Sequence, residues 1–259
     1  LRNRRQRQMC IRDRNNSKVL MKKAIYYIQS SFVLFIFAPI ARLISKSWYE
    51  KKVLPNTINR GCSSKPTMYQ RKKVIPGASG EVLEIGIGPG INIQFYDPTK
   101  VTKIIGVDPS AELNKIAQKN ADKVNIPIDF LITTAEEIPL PDNSIDTVIS
   151  TYTLCSIPNP SLSLKEIYRV LKPEGKFLFC EHGIAPSKGV AMFQNGIDFF
   201  WPAIAGGCHL NRDMPSLLKS NDFNLQELDA MYLPGTQRFL GYNYWGCLLY
   251  TSDAADDCE

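Results

Sequence analysis

The stretch that most constrains this chain is Val82-Leu83-Glu84-Ile85-Gly86-Ile87-Gly88-Pro89-Gly90. Its apolar residues, with one acid among them, predict a short buried strand, and the three glycines predict a tight turn at its end. Glycine is required where the backbone takes a positive φ or must approach a ligand with no Cβ in the way. A strand, a glycine-rich turn and a helix start place a nucleotide-like ligand beyond the carboxyl edge of a sheet. The spacing is Glu84-x-Gly86-x-Gly88-x-Gly90 rather than the G-x-G-x-x-G of dinucleotide folds. The third glycine is misplaced for a pyrophosphate turn, which argues against a nicotinamide oxidoreductase.

A second acid follows in register. Lys103-Ile104-Ile105-Gly106-Val107-Asp108 reads as another strand ending in a carboxylate, eighteen residues beyond Gly90. A carboxylate there can accept hydrogen bonds from both hydroxyls of a ribose. Asp108 can equally cap the helix that starts near Pro109-Ser110, and the two roles are compatible. Beyond it the alternation is regular. Helices are predicted from Ile91–Tyr96, over Ala111–Asn120, and over Leu162–Leu171 with Leu162, Ile167, Val170 and Leu171 on one face. Strands are predicted at Lys103–Val107, Ile128–Thr133, Ile145–Thr151 and Lys176–Cys180. Lys172-Pro173-Glu174-Gly175 forms the turn before the last of these. Helical stretches follow at Val190–Ala203 and Met214–Lys219, then strands near Leu225–Met231 and Phe239–Trp245. Strands alternating with helices imply parallel βαβ units and an α/β fold.

The acidic-x-Gly-x-Gly-x-Gly pattern resembles motif I of class I S-adenosylmethionine (SAM)-dependent methyltransferases, and the resemblance runs from Val82 to about Gly246. It implies a Rossmann-like fold with a seven-stranded, mostly parallel sheet whose last strand is antiparallel. It also implies SAM as cofactor, with Glu84, Gly86, Gly88 and Gly90 around its amino-acid end and ribose, and Asp108 and Pro109 at the ribose. The run Ala135–Asp146 is similar to the family's loop beneath the adenine, which assigns Ala135 and Glu136 to the base. Where the family often has Asp, this chain has Thr134. Thr151 and Tyr152 follow the fourth strand and are expected to wall the cofactor pocket. The Asn/Asp-Pro-Pro-Tyr motif of base and amide N-methyltransferases is absent there.

Two later segments, Cys180-Glu181-His182-Gly183 and Gly206-Gly207-Cys208-His209-Leu210-Asn211-Arg212-Asp213, are similar to a bacterial small-molecule methyltransferase group. They are also similar to animal membrane-associated enzymes that methylate alkyl thiols. The implied activity is SAM-dependent methylation of a small, apolar acceptor, a thiol favoured. A phospholipid or amine N-methyltransferase and a non-catalytic SAM-binding module are the alternatives. His182 and His209 are the expected catalytic residues, as bases or as pocket lining; the plain reading of each is a hydrogen-bonded structural histidine. An acceptor pocket framed by His182, Phe199, Trp201, Cys208 and His209 is expected. Cys208 reads as a small buried hydrophobe, since direct transfer needs no nucleophile.

Charge adds little. The chain of 259 residues carries 31 basic and 25 acidic side chains. Leu1–Arg14 holds six Arg and one Asp, and Cys247–Glu259 holds four acids and no base, leaving 25 against 20 for the body. That mild, dispersed excess gives no basic stripe with interleaved aromatics, so no nucleic-acid partner is expected. The two ends resemble translated sequencing-adapter read-through. The expected organisation is a non-native leader (1–16), an apolar helical segment (17–60), a methyltransferase domain (61–246) and a non-native tail (247–259). Of seven cysteines, Cys62, Cys155, Cys180 and Cys208 lie in the body, far apart, with no C-x-x-C and no paired His spacing. No metal site and no disulfide scaffold is expected, and a cytoplasmic, reducing setting fits.

Met21–Ile44 combines an aromatic and aliphatic run with basic residues at both ends. Its uninterrupted apolar run, Phe32–Ala41, is short for a bilayer span of about 20 residues. Extended back to Ala24, a span would admit Gln29, Ser30 and Ser31, and a signal peptide fits the flanks but precedes a cofactor-binding domain directly. The other readings are an interfacial helix giving contact with a membrane surface and a helix packed on the domain. Ser47–Pro76 is predicted as a helix, with a turn at Asn59-Arg60-Gly61. A monomer with a small-molecule acceptor is expected.

Overall fold

The computed structural model describes residues 42–43, 45–219 and 223–249. Most of Met21–Ile44, all of Leu1–Arg14 and residues 250–259 lie outside these, and so do the expectations placed on them. The chain divides into two compact units, Leu1–Val53 and Leu54–Glu259. In the first, Ser45 caps a short helical turn, Lys46–Trp48, by accepting from the Trp48 amide. A π-helical turn, Tyr49–Val53, follows. Among the described residues no helix is long and apolar enough to cross a membrane.

The second unit begins with α1 (Leu54–Cys62) and α2 (Lys65–Val74). The turn between them falls at Ser63-Ser64, not at Asn59-Arg60-Gly61 as the sequence suggested. Ser63 bonds back to the Asn59 side chain, and the Thr67 hydroxyl donates to the Cys62 carbonyl, while Pro66 opens α2. Proline is favoured in a first helical turn, so it marks where the second helix starts. Gly61 is left inside α1.

Seven strands follow: β1 (Gly80–Ile85), β2 (Val101–Val107), β3 (Ile128–Leu131), β4 (Ile145–Thr151), β5 (Leu171–His182), β6 (Asn224–Tyr232) and β7 (Tyr242–Leu249). They form one sheet in the order β3-β2-β1-β4-β5-β7-β6. The contacts β1–β2, β1–β4, β2–β3 and β4–β5 are parallel. β7 runs antiparallel to both β5 and β6, so six strands share one direction and the last opposes them. This is the sheet that the glycine motif implied. The strand order reverses between β1 and β4, which is where a doubly wound sheet opens a crevice beyond its carboxyl ends.

Two-residue periodicity sorts the strands into two buried faces. Leu83, Ile85, Val148, Phe177 and Phe179 meet Leu164, Ile167 and Val170 of α4 (Pro160–Val170) on one face. Val82, Ile104, Ile149, Leu178 and Cys180 lie on the other, with Val74 of α2 and Ala121 of α3 (Ala111–Ala121). Sheet and helices thus make three layers. Asn159 caps α4 through the Leu162 amide, with Pro160 in its first turn. That start sets the phase that buries Ser163, Ile167 and Val170, leaving Leu162 42% exposed rather than on the core face.

Other boundaries shift. β5 begins at Leu171, eleven residues before His182, and absorbs Lys172–Gly175 as an irregularity against β4. The helix expected over Val190–Ala203 is two pieces, α5 (Lys188–Asp198) and α6 (Trp201–Ile204), separated at Phe199-Phe200. Met214–Lys219 forms α7 as predicted. β7 runs through Leu249, and Leu248 is fully buried against the sheet. The boundary placed at Cys247 is therefore too early: Cys247, Leu248 and Leu249 pair with both β5 and β6.

Candidate functional site

The turn after β1 takes three positive-φ glycines, each for a different reason. At Gly86 (φ 62°) an added Cβ would stand 2.3 Å from the Thr153 side chain, so the loop after β4 sits on the turn. At Gly90 (φ 73°) it would meet Ile93 at 2.7 Å and Ala117 of α3 at 3.1 Å. At Gly88 (φ 53°) the nearest atom, the Gly86 carbonyl oxygen, is 3.8 Å away. The space beside Gly88 is open, as a cradle for a ligand requires.

The Gly88 amide donates to Asp108 Oδ2 at 3.0 Å, and the Ser110 amide donates to Oδ1 at 2.8 Å. Asp108 thereby ties the loop after β2 to the glycine turn. The helix cap itself is Ser110, which accepts from the Leu113 amide, so Asp108 does not cap α3. Each carboxylate oxygen keeps an unused lone pair. Burial pushes the Asp108 carboxyl up from its ordinary value, against the two amides that pull it down.

Beneath the turn lies a buried polar network. Glu84 accepts from Asn92 Nδ2 at 2.8 Å and from the Tyr96 hydroxyl at 2.7 Å. Arg71 of α2 donates through one nitrogen to Asn92 Oδ1 at 2.7 Å and to Thr151 Oγ1 at 2.5 Å. Asn92 also donates to Thr151 Oγ1. Both Glu84 oxygens thus face protein donors, so this acid holds the turn in place rather than reaching over it. The Tyr152 ring, whose backbone has φ 55°, lies 5.1 Å from the Arg71 guanidinium, and its hydroxyl donates to Asn243. A positive φ at a large non-glycine residue costs of order 1–3 kcal/mol and marks functional loops.

Burial pushes Glu84 up to about 7, against the opposing pull of Tyr96, Arg71 and Asn92. The folded chain therefore holds this proton more tightly than the unfolded chain, whose carboxyl titrates near its ordinary 4.5. The contribution to stability is complete below that value and is lost as pH rises to about 7. At 1.36 kcal/mol per pKa unit the loss is up to about 3 kcal/mol. Urea melts of Glu84→Gln at pH 5 and pH 7.5 are expected to show a smaller loss than the parent. Equal losses in both would place the buried proton elsewhere.

The other expected cofactor residues are dispersed along the same edge. Pro109 is exposed at the rim, while Ala135 is buried in the core. Glu136 accepts from the Asn159 amide and so links its loop to the start of α4.

Beside the turn, the end of β5 meets the loop after α6. His182 Nε2 lies 3.0 Å from Cys208 Sγ. Cys155, on the loop after β4, joins them, and the three ligand-type atoms lie within 4.8 Å of one another. A hydrogen bond from Cys208, then the His182 ring, holds the Cys155 thiol well below its ordinary value. That same contact, with burial, pushes Cys208 up. Burial lowers His182, but the Cys155 and Glu181 charges outweigh it and raise it overall. Glu181 accepts from the Ser150 hydroxyl and the Thr153 amide through Oε1, and burial pushes it up to about 7.

His209 is placed differently. Its Nδ1 lies 2.8 Å from Asp198 Oδ2, and the other Asp198 oxygen accepts from the Leu210 amide. Its ring is thus held at α5, while its amide donates to the Cys155 carbonyl. Of the expected acceptor pocket, His182 and Cys208 come together and Trp201 is buried. Phe199 does not join them: it is 95% exposed, because it closes α5 on the solvent side. Sequence reasoning missed Arg71, Asn92 and Cys155. Arg71 sits in a run of basic residues that reads as a solvated face, and Cys155 has no neighbouring ligand in sequence.

Residues 83–179 match the family described as methyltransferase domain. The human thiol S-methyltransferase TMT1B is 34% identical over 193 residues, covering 72% of this chain and 78% of that protein. The Rattus norvegicus TMT1B is 34% identical over 173 residues, with 64% and 70% covered. A methyltransferase solved in complex with the Haloferax volcanii Trm112 methyltransferase activator superposes with a TM-score of 0.59 at 18% identity. It covers 79% of this chain and 96% of its own, and the likeness is one of fold.

Proposed function

The chain belongs to the class I methyltransferase family that includes these thiol S-methyltransferases, and we propose that it methylates a small, apolar acceptor, a thiol first, with SAM as donor. The observation that carries the reading is the Gly88–Asp108 hydrogen bond, which joins the two loops that must hold a nucleoside at the switch point. The open space beside Gly88 and the spare lone pairs of Asp108 fit such a ligand. Bound there, SAM supplies an electrophilic methyl group on a positively charged sulfur.

The chain's own residues do the rest by positioning and by excluding water. Gly86, Gly88 and Gly90 would carry the amino-acid end, Asp108 the ribose, and the Ala135-Glu136 loop the base. Arg71 is a buried cation beneath the turn that complements a carboxylate. His182, at the end of β5, faces the acceptor side with Cys155 and Cys208. His209 is oriented by Asp198 in the manner of a general base. The chain's likeness to thiol S-methyltransferases supports the acceptor class, and its amino-terminal segment contacts a membrane surface. Methyl transfer assayed against alkyl thiols, amines, phenols and phospholipids is expected to be fastest with a thiol. Turnover of an amine or a phospholipid with none for any thiol would overturn the acceptor.

A further inference from the structure

Cys155, His182 and Cys208 are separated in sequence by more than twenty residues at each step, which hides them from any reading of local spacing. The absence of C-x-x-C pairs argued against a metal site, but the fold brings the last residue of β5 together with one residue from each of two loops at the same sheet edge. Their two Sγ atoms and a ring nitrogen of His182 all lie within 4.8 Å of one another. Around a tetrahedral zinc ion, with Zn–S near 2.3 Å and Zn–N near 2.0–2.1 Å, such atoms stand about 3.5–3.8 Å apart. Side-chain adjustments of about 1 Å admit the ion.

The loops are held together without it. The His209 amide donates to the Cys155 carbonyl at 2.8 Å. Arg212 donates to the Leu154 carbonyl and, at 2.6 Å, to the Ile157 carbonyl, so it clamps the backbone on both sides of Cys155. Gly207, at φ 86°, lets the loop pass where a Cβ would come 3.0 Å from the Ser156 carbonyl oxygen. A ligand set fixed by its supporting shell is what a metal site requires. Glu181 Oε2, next in β5, is buried with no hydrogen-bond partner among the described residues.

We propose that Cys155, His182 and Cys208 bind a zinc ion, and that the fourth coordination position takes the acceptor thiol. The second half rests on the thiol reading above; the first does not. Two thiolates and one imidazole form a soft set that selects zinc over magnesium or calcium. Three protein ligands, in contrast to the four of a structural zinc site, leave one position open. Two cysteine thiolates neutralise the dication, which leaves a neutral centre to receive a third sulfur. A thiol entering there loses its proton: the S–H bond breaks, the electron pair stays on sulfur as the metal–sulfur bond, and the proton goes to solvent. The result is a localised sulfur nucleophile at neutral pH, at the edge where the donor's methyl group is presented.

The test uses the full chain, purified in reductant, stripped with a chelator and titrated with cobalt(II) as the optical probe. One cobalt per chain, with tetrahedral d–d bands and thiolate-to-cobalt charge transfer, is expected, and zinc should displace it. His182→Ala and Cys208→Ala should each lose the charge-transfer band or weaken cobalt binding at least tenfold, with circular dichroism reporting their folding. A parent chain that develops no thiolate–cobalt band overturns the site whatever the variants do. Reduced protein that binds no cobalt but forms a Cys155–Cys208 disulfide on oxidation would identify a redox pair and overturn it too. Adding an alkyl thiol should strengthen the charge-transfer band as a third sulfur joins two. An unchanged spectrum removes the thiol from the fourth position. Failure of every thiol as a methyl acceptor, with the cobalt spectrum intact, would fault the acceptor reading and leave the metal site standing.

Discussion

Replacing Arg71 by methionine is expected to destabilise the ligand-free protein by about 3–5 kcal/mol, the range for removing one partner from a buried charged group. Arg71 is 4% exposed and holds Asn92 and Thr151. Methionine keeps much of the apolar stem but leaves the Asn92 carbonyl without its charged donor. It also removes the cation whose charge opposes the burial of Glu84. For a domain of this size each kcal/mol shifts the melting temperature by about 2–4 °C, so a drop of roughly 6–20 °C is expected. Adding Glu84→Gln to the variant should recover part of the loss, because the two sites share one network. A melting temperature within about 2 °C of the parent would show that the network is not structural. Unchanged melting with weakened SAM binding would leave Arg71 its ligand role alone and remove the structural one.

Asp108→Ala is expected to weaken SAM binding by a factor of about 10–150, from the roughly 1.5–3 kcal/mol carried by a charge-assisted hydrogen bond. The substitution also frees the Gly88 and Ser110 amides, so the two loops lose their link. Asp108→Asn keeps one acceptor oxygen and should lie between parent and alanine. Calorimetric titration with SAM measures all three. Equal affinities in parent and alanine variant would remove Asp108 from the ribose, and with it the assignment of the cofactor to this crevice.

Part of this protein could be read without coordinates. The strand–glycine turn–acid sequence from Val82 to Asp108 and the alternation that follows appear in the structure, as does the antiparallel last strand that the family resemblance, rather than any local pattern, implied. The first two are local: two-residue periodicity, positive-φ glycines and a capped helix start are each decided within about ten residues. Boundaries set by contacts elsewhere were less legible. The α1–α2 turn moved to Ser63-Ser64, and β7 extends to Leu249 because β5 and β6 both continue to pair with it.

The site divides along the same line. Sequence alone determined that Gly86, Gly88, Gly90 and Asp108 share one edge, because the two strands that carry them are neighbours in chain order and in the sheet. Only the tertiary structure decided that Arg71 lies under the turn, that Asp198 holds the His209 ring, and that Cys155 meets His182 and Cys208. Those meetings depend on β4 lying beside β5 and on Arg212 clamping the loop that precedes α4. A contact such as that of Arg71 with Thr151, eighty positions apart, leaves no period or spacing in the sequence, so its partners become visible only once the chain has folded.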